Sequence, residues 1–121
     1  LFITEYAPYS QLFPRSAAVV HSGGVGTTAQ VLRAGKPMIV MPFSHDQPDN
    51  GARIKRLGTG TTISRRSYTV NQVVRELKAL LANHEMAQKA ESIGRAIRSE
   101  NGTVAAADRL DELFARLAPS R

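Results

Sequence analysis

The residues best suited to chemistry sit together at His21-Ser22-Gly23-Gly24-Val25-Gly26-Thr27-Thr28. Glycines at 23, 24 and 26 let the backbone take positive φ or approach a ligand closely. A helix opening directly after such a turn presents unpaired N–H groups and the positive end of its dipole at one point, an arrangement that suits a phosphate or pyrophosphate. The same glycines also serve a tight strand-to-helix corner with no ligand at all. The spacing is not that of a P-loop, because no Gly-Lys-Ser/Thr follows. Nor is it the Rossmann G-x-G-x-x-G, since Ala29 stands where the third glycine belongs.

The elements around this turn are legible from pattern. Ala17 to Val20 is a short apolar run bounded by a turn signal, as expected of a strand covered on both faces. Thr27 to Ala34 reads as a helix closed by Gly35 and followed by Pro37, after which Met38 to Met41 is a second buried strand. Ahead of this unit, Leu1 to Tyr6 is rich in β-formers and reads as a strand that ends at Ala7-Pro8. Tyr9 to Phe13 is expected to form one helical turn. Beyond the unit, Pro42 to Asn50 is a polar loop. A helix from about Pro48 to Leu57 ends at Gly58, and Thr59 to Ile63 is a last β-branched strand.

From Ser67 onward the pattern is helical. Thr69 with Gln72 makes a capping pair ahead of the stripe Val70, Val73, Val74, Leu77, Leu80 and Leu81. Asn83 separates this helix from one marked by Met86, Ala90, Ile93 and Ile97. Asn101-Gly102-Thr103 reads as a helix end at Gly102 and a new N-cap at Thr103, before the face Val104, Ala107, Leu110, Phe114 and Leu117. The whole is read as one α/β domain over residues 1–121. It has a Rossmann-like parallel sheet of about four strands with flanking helices, and a helical C-terminal tail over 67–121. Ligands of such sheets bind beyond the carboxyl ends of the strands. Three loops at that edge carry the suggestive residues: Tyr6, then His21 to Thr28, then His45-Asp46-Gln47.

Composition narrows the class. The 121 residues allow one small core, and the absence of cysteine excludes disulfides and thiolate metal sites. The formal charge of +6 invites a nucleic-acid reading, but the basic residues are scattered, few aromatics interleave with them and no binding motif appears. Nucleic acid is therefore not an expected partner. No apolar run approaches the roughly 18 residues of a membrane span and no signal-peptide pattern opens the chain, so a cytoplasmic setting is expected. The first residue is Leu rather than Met, as expected of a piece of a longer protein.

Taken together, Tyr6-Ala7-Pro8, HSGGVGTTAQVLRAGKP from His21 to Pro37, and Pro42-x-x-x-Asp46-Gln47 with Asn50 resemble the donor-binding box of family 1 UDP-glycosyltransferases of the GT-B fold. The likeness is nearest to bacterial and fungal enzymes that glycosylate sterols, lipids or antibiotic aglycones, and the chain resembles half of a GT-B C-terminal domain. The resemblance implies that Tyr6 stacks on the base while backbone groups of Ala7 pair its edge. It implies a diphosphate held by His21, Ser22, Gly23, Gly24, Gly26, Thr27 and Thr28. Many relatives carry two histidines where this chain has His21-Ser22, so which of the two contacts phosphate stays open. Gln30 falls where a glutamate usually holds the ribose hydroxyls; its amide keeps the hydrogen bond without the charge. Asp46 and Gln47 correspond to the pair that grips the sugar, a carboxylate accepting from hydroxyls and an amide both donating and accepting. Asn50 matches a recurrent position with a structural role.

The implied reaction moves a hexose from a UDP- or TDP-sugar to an acceptor hydroxyl, a small molecule or lipid, with inversion. This half would stabilise the charge growing on the leaving diphosphate, without metal or cofactor. No catalytic residue is expected in this stretch, because the resemblance implies that the base belongs to an N-terminal domain absent from it; alone it should bind donor nucleotide weakly and catalyse nothing. The alternative is a non-catalytic nucleotide-sugar binding module.

Overall fold

The computed structural model describes residues 2–117. Its sheet has three parallel strands in the order β1-β2-β3, with β1 at Val19–His21, β2 at Met38–Val40 and β3 at Gly60–Thr62. The register pairs Val20 with Ile39 and Ile39 with Thr61. The expected fourth strand at Leu1 to Tyr6 does not form over its described residues. Phe2, Ile3 and Tyr6 are exposed and this stretch pairs with no neighbour. High β-propensity is a preference for a pleated, packed surface, and without an adjacent strand it is not realised.

Helix α1 (Tyr9–Leu12) runs into a 3₁₀ turn over Phe13–Arg15, with the Tyr9 and Phe13 rings stacked at 4.5 Å between centroids. Helix α2 spans Val25–Ala34 and α3 spans Gln47–Leu57, so each starts earlier than its apolar pattern suggests. Both end as read, at Gly35 and Gly58 in the left-handed region with φ of 68°.

Alternation along β2 divides the core. Met38 and Val40 face Phe13, Val19, Val31 and Ile54, the side carrying α2 and α3. Ile39 faces Ile63 and Leu80, the side carrying α4 (Val70–Ala82). Met38, Ile39 and Val40 are wholly buried, each contributing about 1.5–3 kcal/mol of transfer free energy. From the α4 stripe, Val73, Leu77 and Leu80 point inward while Val70 is 79% exposed.

One arm of the capping pair forms: Thr69 accepts from the Gln72 N–H, while the Gln72 side chain turns to Glu76 and the Thr69 N–H donates to Ser67 O. Asn83 caps α5 (His84–Ser99) through the Met86 N–H. Helix α5 lies against α2, where Gly94 meets the backbone of Gly35 so closely that a Cβ would stand 2.6 Å from its Cα. Helix α6 (Gly102–Leu117) begins one residue before the expected cap. Asn101, not Thr103, is the N-cap: its Oδ1 accepts the Val104 N–H at 3.2 Å, a geometry open to a short side chain just outside the helix.

Candidate functional site

The strand ends converge on one edge. β1 ends at His21 and β2 at Val40, and the loops that follow deliver the N-termini of α2 and α3 side by side. The carbonyl of His21 accepts the Met41 N–H at 2.9 Å, which holds the two strand ends in step.

Helix α2 opens on Gly24 as N-cap, with no side chain capping it. The Thr28 N–H is the first to close the helical ladder, onto Gly24 O at 3.0 Å. The N–H groups of Val25, Gly26 and Thr27 therefore precede the ladder, with no protein acceptor among the described residues. A Cβ placed on Gly24 or Gly26 would meet nothing within 4 Å, so this end of the helix faces open space. Aligned peptide dipoles put about half a positive charge there. Thr27 is half-buried beside it. Thr28 points the other way, with its Oγ1 buried and lacking a hydrogen-bond partner.

Gly23 differs from its neighbours. It has φ of +93°, and a Cβ there would lie 2.6 Å from Val40 Cγ1. Its two peptide groups are both held: the N–H donates to His21 Nδ1 at 3.0 Å, and the carbonyl accepts from Asn50 Nδ2 at 2.9 Å. Of the two candidates for phosphate contact, His21 has both ring nitrogens engaged within the protein, Nδ1 by the Gly23 N–H and Nε2 3.3 Å from Met38 Sδ. Burial lowers its pKa below the ordinary 6.5, so the ring is neutral near pH 7. The Ser22 hydroxyl has no protein partner among the described residues.

The second loop is folded back by Gln47, whose Oε1 accepts the N–H groups of Phe43 and Ser44 at 2.8 and 3.3 Å. That leaves the Gln47 NH₂ as a donor. His45 sits at φ of 57°, rare for a side chain of its size, and its Nδ1 contacts Ser44 Oγ at 2.7 Å. Asp46 is exposed and does not cap α3 with its side chain; its Oδ2 accepts from Asn50 Nδ2 at 2.8 Å. Phe43 lies under the Arg65 guanidinium, 5.1 Å from ring centroid to Cζ.

Tyr6, Ala7 and Gln30 line one cleft of about 400 Å³ with Glu5, Pro8, Tyr9 and Ser10. Gln30 is the one α2 residue in this lining; it lies three positions after Thr27, about 4.5 Å along the helix axis. A comparable cavity of about 420 Å³ lies against Arg33, Lys36, Glu91 and Arg98 at the other end of α2. It shares Tyr9, Ser10 and Gln30 with the first cleft, and Gln30 is the one candidate ligand-contact residue in it. The uncovered N–H groups of Val25, Gly26 and Thr27 line neither cavity; of the two, the cleft of Tyr6 and Ala7 lies toward their end of α2.

An open parallel sheet with uncapped N–H groups at its carboxyl edge, and an exposed carboxylate and amide on the neighbouring loop, is a geometry able to receive an anion. Comparison with known proteins gives the family. Residues 2–113 match the family model described as erythromycin biosynthesis protein CIII-like, C-terminal domain, and the chain belongs to that family of glycosyltransferase C-terminal domains. It is 43% identical over 99 residues to a sterol 3-beta-glucosyltransferase of Yarrowia lipolytica, which covers 82% of this chain and 7% of that protein. It is 39% identical over 101 residues to the O-mycaminosyltylonolide 6-deoxyallosyltransferase of Streptomyces fradiae, covering 79% of this chain and 23% of that protein. The chain thus spans less than a quarter of either relative. Among solved structures, the kitacinnamycin glycotransferase superposes with a TM-score of 0.82 at 26% identity, over 88% of this chain and 28% of that one. The glycosyltransferase VinC, solved in complex with DTDP, gives a TM-score of 0.85 at 24% identity over 93% and 29%, a likeness of fold. Among the described residues no helix is long and apolar enough to cross a membrane.

Proposed function

We propose that this chain binds the donor for a glycosyltransferase that moves a hexose from a UDP- or TDP-sugar to an acceptor hydroxyl with inversion. The observation that carries this reading is the open end of α2, where Gly24 and Gly26 leave three N–H groups uncovered beside Asp46 and Gln47. Those donors are fixed before the reaction begins, so they stabilise the diphosphate as its charge grows without reorganising. Neutral amide donors and the helix dipole suffice for this, and neither metal nor cofactor has a part in it. Ser22 and Thr27 supply hydroxyls at the rim. His21 serves by shaping the turn, as a neutral acceptor for Gly23, rather than by touching phosphate.

Base and ribose occupy the cleft of Tyr6, Ala7 and Gln30, with the sugar against Asp46 and the Gln47 NH₂. The acceptor and the base that deprotonates it lie on another domain of the enzyme. Calorimetric titration with UDP, dTDP, UDP-glucose and dTDP-glucose tests the reading. One site per chain, with at least one sugar nucleotide bound more tightly than its nucleotide, is expected; no saturable binding of any of the four would refute it.

A further inference from the structure

Asn50 joins the two halves of this site. Its single NH₂ donates one N–H to the carbonyl of Gly23, 27 residues away, at 2.9 Å, and the other to Asp46 Oδ2 at 2.8 Å. Both partners are acceptors, so the orientation of the amide is determined and both of its donors are engaged. Asp46 is exposed, and no other group among the described residues holds its carboxylate. Gly23 is the residue on which the turn pivots. A Cβ there would stand 3.3 Å from the Gln47 carbonyl, so the two loops already touch at this point.

We infer that Asn50 is a positioning residue that fixes the Asp46 carboxylate relative to the glycine turn, so that the sugar and the diphosphate are gripped in one register. This rests on the proposed donor site. Without the amide, the carboxylate is free to swing about its two side-chain torsions and must be ordered by the sugar itself, which lowers affinity for sugar nucleotides selectively. An amide whose role was only to stabilise the fold would weaken nucleotide and sugar nucleotide alike.

The test compares the affinity of the preferred sugar nucleotide (UDP-glucose or dTDP-glucose) with that of its nucleotide. The ratio of the two is measured in the parent chain, Asn50→Ala, Asn50→Asp, Asp46→Ala and the Asp46→Ala/Asn50→Ala double variant. Asn50→Asp keeps the shape, removes the donors and sets a second negative charge against the Asp46 carboxylate. Both Asn50 variants are expected to lower the ratio about fivefold to tenfold. In the Asp46→Ala background the further change should vanish, because the carboxylate to be positioned is gone. If Asn50→Ala does not fold, Asn50→Ser, with one hydroxyl donor, must still lower the ratio. An unchanged ratio in the Asn50 variants alongside a fall in Asp46→Ala overturns the positioning role alone, as does an additive loss in the double variant. No effect of Asp46→Ala on the ratio overturns the sugar site, and the inference with it.

Discussion

The imidazole of His21 accepts the N–H of Gly23 across 3.0 Å, closing a small ring at the point where β1 gives way to α2. A backbone N–H can only donate, so Nδ1 carries no proton and Nε2–H is the one aimed at Met38 Sδ. The neutral tautomer is therefore part of how the turn is built.

Burial of the same ring makes stability depend on pH. The folded-state pKa of His21 lies below its unfolded value near 6.5, so the unfolded chain takes up the proton first as pH falls. The contribution is complete above about pH 6.5 and is lost as pH drops from there through the lowered folded pKa. His21→Asn keeps a short acceptor for Gly23 and does not titrate. Melting temperatures measured from pH 7.5 to 5 should fall less for His21→Asn than for the parent, and its UDP affinity at pH 7.5 should stay within about threefold. A His21→Asn curve parallel to the parent would mean that the buried ring does not link protonation to folding.

The glycines should separate by role. Gly23→Ala combines a strained φ with a contact on Val40 and is expected to destabilise by about 1–3 kcal/mol, read as a lowered urea midpoint. Gly24→Val or Gly26→Val places its branch in open space, so folding should change little while UDP binding weakens more than tenfold. Unaltered UDP affinity in both variants would remove the diphosphate from this turn.

Asp46→Ala should weaken sugar-nucleotide binding about tenfold and leave UDP or dTDP within twofold, because the proposed site gives the carboxylate to the sugar hydroxyls and the diphosphate to the α2 amides. Equal losses for both ligands would argue that Asp46 only shapes the loop.

Magnesium at millimolar concentration, or a chelator, should shift UDP affinity by less than about twofold if amide donors carry the charge. A tenfold dependence on the cation would require a metal-bridged diphosphate instead.

Much of this architecture is visible in the sequence, for identifiable reasons. The unit read from Ala17 to Met41 declares itself because short apolar runs mark its strands and Gly35 stops a helix cleanly, but only Met38–Val40 is covered on both faces; in β1, shifted to Val19–His21, Val20 is exposed. Of the three loops read at the strand edge, the second and third are tied together through Asn50 and Gly23, while Tyr6 and Ala7 line a cleft with Gln30 that includes neither of them. What stays hidden depends on direction. His21 and Ser22 are adjacent letters, and only the fold turns the imidazole inward onto Gly23 and Met38. Propensity at Leu1 to Tyr6 says nothing about whether a neighbouring strand exists. The link from Asn50 to Gly23 crosses 27 positions and has no local pattern at all.

The central claim is that a diphosphate rests on the open end of α2, and amide NMR during a UDP titration tests it residue by residue. The account predicts that the largest shift changes fall on the N–H groups of Gly24, Val25, Gly26 and Thr27, saturating with a single affinity. Changes concentrated instead around Arg33, Lys36 and Arg98, or around Arg65 and Arg66, with those four amides unmoved, would contradict it.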